Sequence, residues 1–265
     1  MRVQLLLGDR LHQHGAVLLG VQRPVHAVNA AGRVWAYRAR AEREASSRFE
    51  RLALELEVGS QETGLVALAR KAARDEQRHA ELCAELATRF GCSTSSGGAP
   101  VVCPSLAPPG LQRRERLLYE IVAMCCVTET LSAALLLEMV RRADDREVKR
   151  TVHEILRDEI DHSRLGWAHL ALEHERGAVA FLGERMPAIL AGTVSEELFW
   201  PGEGSAGSTL DGYGALGRGA RLEIFVATMQ DVVFPGLERF AVDTAAARRW
   251  LAAHAPATCA AASPS

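Results

Sequence analysis

Three observations predict an all-α fold: a four-helix bundle with one long crossover and additional C-terminal helices. The first is a short pattern present twice, Arg74-Asp75-Glu76-x-x-His79 and Arg157-Asp158-Glu159-x-x-His162. A Glu and a His three apart on a helix project from the same side and can grip one metal ion. The second is a set of four long segments whose apolar residues recur at helical spacing. The third is a Gly- and Pro-rich stretch between the second and third of these segments.

Residues 1–33 read as an N-terminal arm with no assigned structure, carrying short apolar runs at Val3–Leu7 and Ala16–Val21. From about Val34 the pattern turns helical. Trp35, Glu42, Ser46, Phe49, Ala53 and Leu56 share one face, and the segment stops near Gly59. A second helix is expected over about Glu62 to Phe90, with Leu65, Ala69, Ala72, Glu76, His79, Cys83, Leu86 and Phe90 inward. Gly91 ends it.

From Gly91 to Gly110 the chain holds four Gly and four Pro, which excludes a helix. Twenty extended residues reach at most about 70 Å. A helix of about 28 residues is only about 42 Å long. The linker can therefore run the length of a bundle and start the third helix at the opposite end. That helix is expected over about Leu111 to Arg142, with Leu118, Val122, Cys125, Glu129, Ala133, Leu136 and Val140 in line. The fourth covers about Glu147 to Arg176, with Val148, Val152, Ile155, Glu159, His162, Gly166 and Leu170 inward. Residues 34–176 thus form the bundle. Residues 177–252 supply further helices packed on it: an apolar segment at Val179–Phe199 broken at Pro187, a loop from Pro201 to Gly219 with seven glycines, and a last helix over about Arg221 to Ala247 kinked at Pro235. Residues 253–265 form an Ala- and Ser-rich tail.

Counting brings the carboxylates to one level. Glu42 and Glu76 are 34 residues apart, with their midpoint at Gly59, where the first turn falls. Glu129 and Glu159 are 30 apart, with their midpoint at Asp144, inside the polar turn Ala143–Arg146. Angle then selects among candidates. At 100° per residue, Glu42 shares its face with Phe49, Ala53 and Leu56, whereas Glu44 and Glu55 point away and Glu50 sits at the edge. Glu120 and Glu138 are each nine residues from Glu129, half a rotation off. An uncompensated buried carboxylate costs several kcal/mol, and four together repel. Two divalent cations cancel four glutamates in charge, leaving two neutral imidazoles to complete the site. The expected metal ligands are Glu42, Glu76, His79, Glu129, Glu159 and His162, and no catalytic residue is assigned beyond them. The opposing reading is that the Glu-x-x-His pairs are chance features of helix surfaces.

The remaining composition excludes several classes. A net charge of -2 gives no field for nucleic acid or an anionic membrane. Asp9, Arg10, His12 and His14 cut the first apolar run short of an export signal, and no uninterrupted run of 18 apolar residues exists. A cytoplasmic protein with no nucleic-acid or membrane partner is expected. The six cysteines lack C-x-x-C spacing, so reduced thiols are the default. Pairing of Cys92 with Cys103 remains open for an exported protein. Cys83 and Cys125 read as core residues and His169 as a satisfied core or surface histidine. His12, His14 and His26 show no ligand spacing.

Glu42, Glu76-x-x-His79, Glu129 and Glu159-x-x-His162 resemble the ligand set of the ferritin-like di-iron carboxylate superfamily over residues 35–175. The run Ala41-Glu42…Phe49…Leu52-Ala53-Leu54-Glu55-Leu56, with Asp75-Glu76-x-Arg78-His79-Ala80 and Val233-x-Pro235-Gly236-Leu237, is similar to a group of largely uncharacterised bacterial ferritin-like proteins. The resemblance implies two iron ions, with manganese as the alternative, and dioxygen or peroxide as co-substrate. It implies an oxidoreductase of the oxygenase or oxidase type acting on an unknown small molecule, and a homo-oligomer is compatible with it. Asp75 and Asp158 resemble the aspartates that orient ligand histidines in di-iron enzymes; the plainer alternative is a surface pairing with nearby Arg. Position 161 is Asp where the first copy has Arg78. Rubrerythrin-type iron modules need C-x-x-C pairs that are missing here, and a radical-generating role finds little support in Tyr119 or in Tyr37, which is off the inward face. An iron-storing ferroxidase and a non-catalytic, metal-stabilised bundle stand as alternatives.

Overall fold

The computed structural model describes residues 25–59, 63–94, 103–193 and 210–254. Among them there are seven helices and no strand. Helix α1 is Val25–Gly59 and α2 is Thr63–Arg89. Helix α3 is Arg113–Arg142, continuous through a π segment at Val122–Glu129. Helix α4 is Arg146–Glu175 and α5 is Leu182–Thr193. Helix α6 covers 218–238 with a π segment at Met229–Val233, and α7 is Ala245–His254.

Among the described residues α1 already runs from Val25, so residues 25–33, which the sequence left unassigned, are helical; residues 1–24 lie outside the described set. The extension continues the apolar stripe that Trp35 opens. Ala27, Ala31 and Trp35 are buried against Phe90 and Tyr213, and the Trp35 indole N–H donates to the Tyr213 carbonyl at 2.9 Å. Gly214 makes this contact possible. Its φ is 74°, and a Cβ there would lie 2.6 Å from Val148 Cγ1 and 2.9 Å from the Trp35 ring.

Four long helices pack around one another, and their ends fix the connection. Arg113, the first residue of α3, donates to the Glu55 carbonyl near the end of α1. At the opposite end, Arg89 in the last turn of α2 makes a two-pronged ion pair at 2.8 Å with Asp145. Asp145 is the N-cap of α4, accepting from the Glu147 and Val148 amides. Helices α2 and α3 therefore run parallel, and the linker crosses the length of the bundle. From Cys103 onward, where it is described, it contacts α1: Arg51 donates to the Cys103 carbonyl and Arg48 to the Pro104 carbonyl. Cys92 and Cys103 are both free thiols.

After Glu129 only part of the expected face of α3 is core: Leu136 is fully buried, as expected. Ala133 and Val140 are only half-buried, while Leu131, Leu135 and Met139 fill the core. The π segment, whose wider turn takes an extra residue, shifts and broadens the face that the helix buries beyond it. The Thr128 hydroxyl donates to the Ala123 carbonyl five residues back, satisfying one acceptor that the wide turn loosens. By length and composition α3 could cross a membrane, but 67% of its most apolar window is buried inside the protein, as in a core helix.

The C-terminal helices differ from expectation twice. Pro187 lies inside α5 and does not break it. The lost N–H bond is outweighed by Leu182, Met186, Ile189 and Leu190, all fully buried. The last expected helix is two helices. Helix α6 absorbs Pro235 just after its π segment and ends at Glu238; the chain turns through Ala241 (φ 57°) into α7. Most of the glycine-rich loop, 201–209, and the tail 255–265 lie outside the described residues.

Among the described glycines, Gly166 has the least room for a side chain. A Cβ at this position would meet Cys125 Cβ at 2.5 Å and the Cys126 amide and sulfur at 2.9 Å. Gly166→Ala should force α4 away from the π segment and cost about 1–3 kcal/mol, read as a lowered denaturation midpoint.

Candidate metal centre

Apolar packing on α1, α2 and α4 is interrupted at one level. One core cluster takes Phe49, Leu52 and Leu56 with Ala69 and Ala72; the other takes Trp35 and Ala39 with Cys83 and Leu86. The six expected ligands lie between them, all at most 8% exposed: Glu42 from α1, Glu76 and His79 from α2, Glu129 from α3, Glu159 and His162 from α4.

Their donor atoms gather in two groups. Glu42, Glu76, His79 and Glu159 bring donors within 4.8 Å of one another, and so do Glu76, Glu129, Glu159 and His162. Glu76 and Glu159 belong to both groups, so they stand between two positions; Glu42 with His79, and Glu129 with His162, flank them. His79 Nδ1 is 3.4 Å from Glu76 and 3.9 Å from Glu159. His162 Nδ1 is 3.2 Å from Glu159 and 2.9 Å from Glu76, the latter without the alignment of a hydrogen bond. The rings are 5.8 Å apart. Both Glu76 oxygens and His79 Nδ1 are buried with no hydrogen-bond partner. Burial of such atoms costs about 1–3 kcal/mol or more each unless something else satisfies them.

Both histidines present Nδ1 to this space and turn Nε2 outward to an aspartate on the other helix. His79 Nε2 is 3.2 Å from Asp158, and His162 Nε2 is 3.4 Å from Asp75. With Nε2 carrying its proton toward a carboxylate, Nδ1 keeps a lone pair for a cation. The aspartates are buried, at 6% and 7% exposure, so they are not surface residues. The alternative pairing with Arg is also present: Arg78 donates to Asp75 at 3.1 Å and to Asp158. Lys71 adds a 2.7 Å bond to Asp75 and contacts Asp161 at 3.7 Å. One Arg therefore serves both aspartates, and the second copy needs none at position 161. Arg78→Leu should leave two buried carboxylates short of donors and cost about 1–3 kcal/mol in chemical denaturation.

The metal-free site is poised electrostatically. Burial, then the charges of Glu76 and Glu159, push the Glu42 carboxyl well above its usual range. Burial and the same neighbours do so for Glu129. Burial alone would raise Glu76, but contacts with the two imidazoles outweigh it and hold this group low. Burial opposes charge on His162, yet Glu159 and Glu76 overcome it and raise the imidazole to about 11; His79 is raised on the same grounds.

Other residues fall outside the clusters. Cys83 and Cys125 are fully buried thiols pushed up by burial and belong to neither group. Glu120 is buried on the far side of α3, held by Arg51 and Ser105. His169 is a core histidine lowered to about 4 by burial. His12 and His14 and the His26 side chain lie outside what is described. Sequence reasoning missed two cations, Lys71 beside Asp75 and Arg38, 3.9 Å from Glu42. Each sits four residues before its acid, a spacing that could have revealed them. It also set Tyr37 aside, which is buried and lines a cleft reaching Glu129. Comparison with family models, curated proteins and solved structures gives no match to this chain.

Proposed function

We propose that this is a ferritin-like dinuclear carboxylate protein that holds two iron ions, manganese being the alternative, and works as an oxidoreductase activating dioxygen or peroxide on a small organic substrate. The observation that carries the reading is the pair of four-donor groups sharing Glu76 and Glu159. The donor chemistry fits: carboxylate oxygen and imidazole nitrogen suit iron and manganese, and the orphaned Glu76 and His79 atoms are those a cation would satisfy. Glu42 and His79 would complete one ion's ligands, Glu129 and His162 the other's, with Glu76 and Glu159 between. When bound, the reduced ions supply the electrons that dioxygen needs.

The chain's own groups set the conditions. Asp158 and Asp75 fix the proton on each Nε2 and aim Nδ1 inward. Phe49, fully buried and 5.4 Å from the His162 ring, helps exclude water from one side. Glu42 and Glu129 each serve one position only, so either can shift without releasing the other ion. Anaerobic loading with Fe(II) followed by oxygen exposure tests the reading. The expected result is about two ions per chain and rapid oxidation that brings up a new absorption spectrum; retention of fewer than about two iron or manganese ions rejects it.

A further inference from the structure

A cleft of about 180 Å³ opens between α1 and the π segment of α3, and its floor includes Glu129. Ala41 and Ala45 form one wall, small residues a single helical turn apart; Met124 and Thr128 form the other, and Leu106 of the crossover closes one side. Two features account for the space. Alanines leave room where larger side chains would fill the helix contact, and the wide π turn brings Glu129 to the edge of the cleft as well as to the carboxylate cluster.

The polar groups around the cleft are already engaged. Thr128 donates to the Ala123 carbonyl, Arg48 to the Pro104 carbonyl at 2.8 Å, and Glu44 is paired with Arg40 at 3.7 Å. Arg48 bonds a neutral carbonyl and so keeps its charge, opposite in sign to that of Glu129; with Glu44 paired to Arg40, the lining has no net charge to favour an ionic guest. A cavity of about 150 Å³ suffices for benzene. We propose that this cleft binds an uncharged, largely apolar molecule of about six to ten non-hydrogen atoms and holds it against Glu129. The proposal names the substrate class for the reading above and rests on that reading for the reaction, but not for the binding.

The test is a fluorine NMR titration of 4-fluorophenol into metal-free and metal-loaded protein. Saturable binding with Kd near about 1 mM is expected for a guest of this size. Ala45→Leu, which fills the cleft at no cost to helix propensity, should weaken it at least about tenfold, and Ala41→Val is the second variant should the first fold poorly. The anion 4-fluorobenzoate should bind at least about tenfold more weakly, because it must shed its hydration beside the Glu129 carboxylate; binding as tight as that of the phenol, through Arg48, overturns the uncharged guest. Absence of saturation, or affinity unchanged in a folded variant, overturns the proposal. Two ions per chain without probe binding would reject the cleft alone; probe binding lost in Ala45→Leu without metal uptake would reject the dinuclear centre alone.

Discussion

Glu76→Gln is expected to abolish uptake of both metal ions, whereas Glu42→Gln should remove only one. The contrast follows from membership: Glu76 contributes to both four-donor groups, Glu42 to a single one. Glutamine keeps the volume and hydrogen-bonding capacity of the side chain but removes the charge that offsets a cation. Loss of a group that merely orients a ligand lowers metal affinity about 10–100-fold, so loss of a shared ligand should exceed that at each position. Metal content after desalting should fall from about two per chain to near zero for Glu76→Gln and to about one for Glu42→Gln. Far-UV circular dichroism should stay helical in both, because the apolar clusters on either side are untouched. Equal losses in the two variants would contradict the shared-ligand geometry.

The cluster of six buried side chains was legible because spacing carries it. Glu and His three apart must share a helix side, and equal distance from a turn must set Glu42 level with Glu76, and Glu129 with Glu159. The resemblance gave Asp75 and Asp158 the task of orienting a ligand histidine but named no partner; the crosswise pairing of Asp75 with His162 and of Asp158 with His79 comes from the structure. What stayed hidden depends on backbone departures that no side-chain pattern announces. The π turn in α3 leaves Glu129 and Leu136 inward while Ala133 and Val140 are only half-buried, and the sequence Val122–Glu129 is as compatible with an α-helix. The cleft at Glu129 was invisible for the same reason, since it exists only where that turn faces two alanines. The helix before Val34 was missed because Ala27 and Ala31 are too small to stand out as apolar; Gly32, where a Cβ would lie 2.7 Å from the Phe90 carbonyl oxygen, is what lets the helix lie against Phe90. Pro187 misled because its local propensity counts for less than four buried side chains in the same helix.

Metal binding should release up to about four protons per chain and tighten as pH rises. In the metal-free protein Glu42, Glu129, His79 and His162 all hold their protons more firmly than free side chains do. Four protons held on these groups would carry the same total charge as two divalent cations. Stability then follows opposite trends with and without metal. Each of the four folded-state values lies above its unfolded one, so the folded metal-free chain binds the extra protons. Its stability from these groups is fully present below the unfolded value, near 4.5 for the carboxyls and 6.5 for the imidazoles, and is lost as pH rises through the folded value. Metal-free protein should melt higher at pH 6.5 than at pH 8.5, with His162 still contributing at the upper limit because its folded value is about 11. Every tenfold gain in a side chain's hold on its proton corresponds to about 1.4 kcal/mol. With metal bound, ligand protons are displaced and stability should instead increase over the same interval, because fewer protons compete with the ions. Calorimetric titration of Mn(II) in buffers of different ionisation enthalpy counts the protons, and thermal melts at the two pH values give both slopes. A metal-free protein whose melting temperature rose with pH across this interval would mean that the four side chains do not hold protons in the cations' place, and the electrostatic account of the site would fail with them.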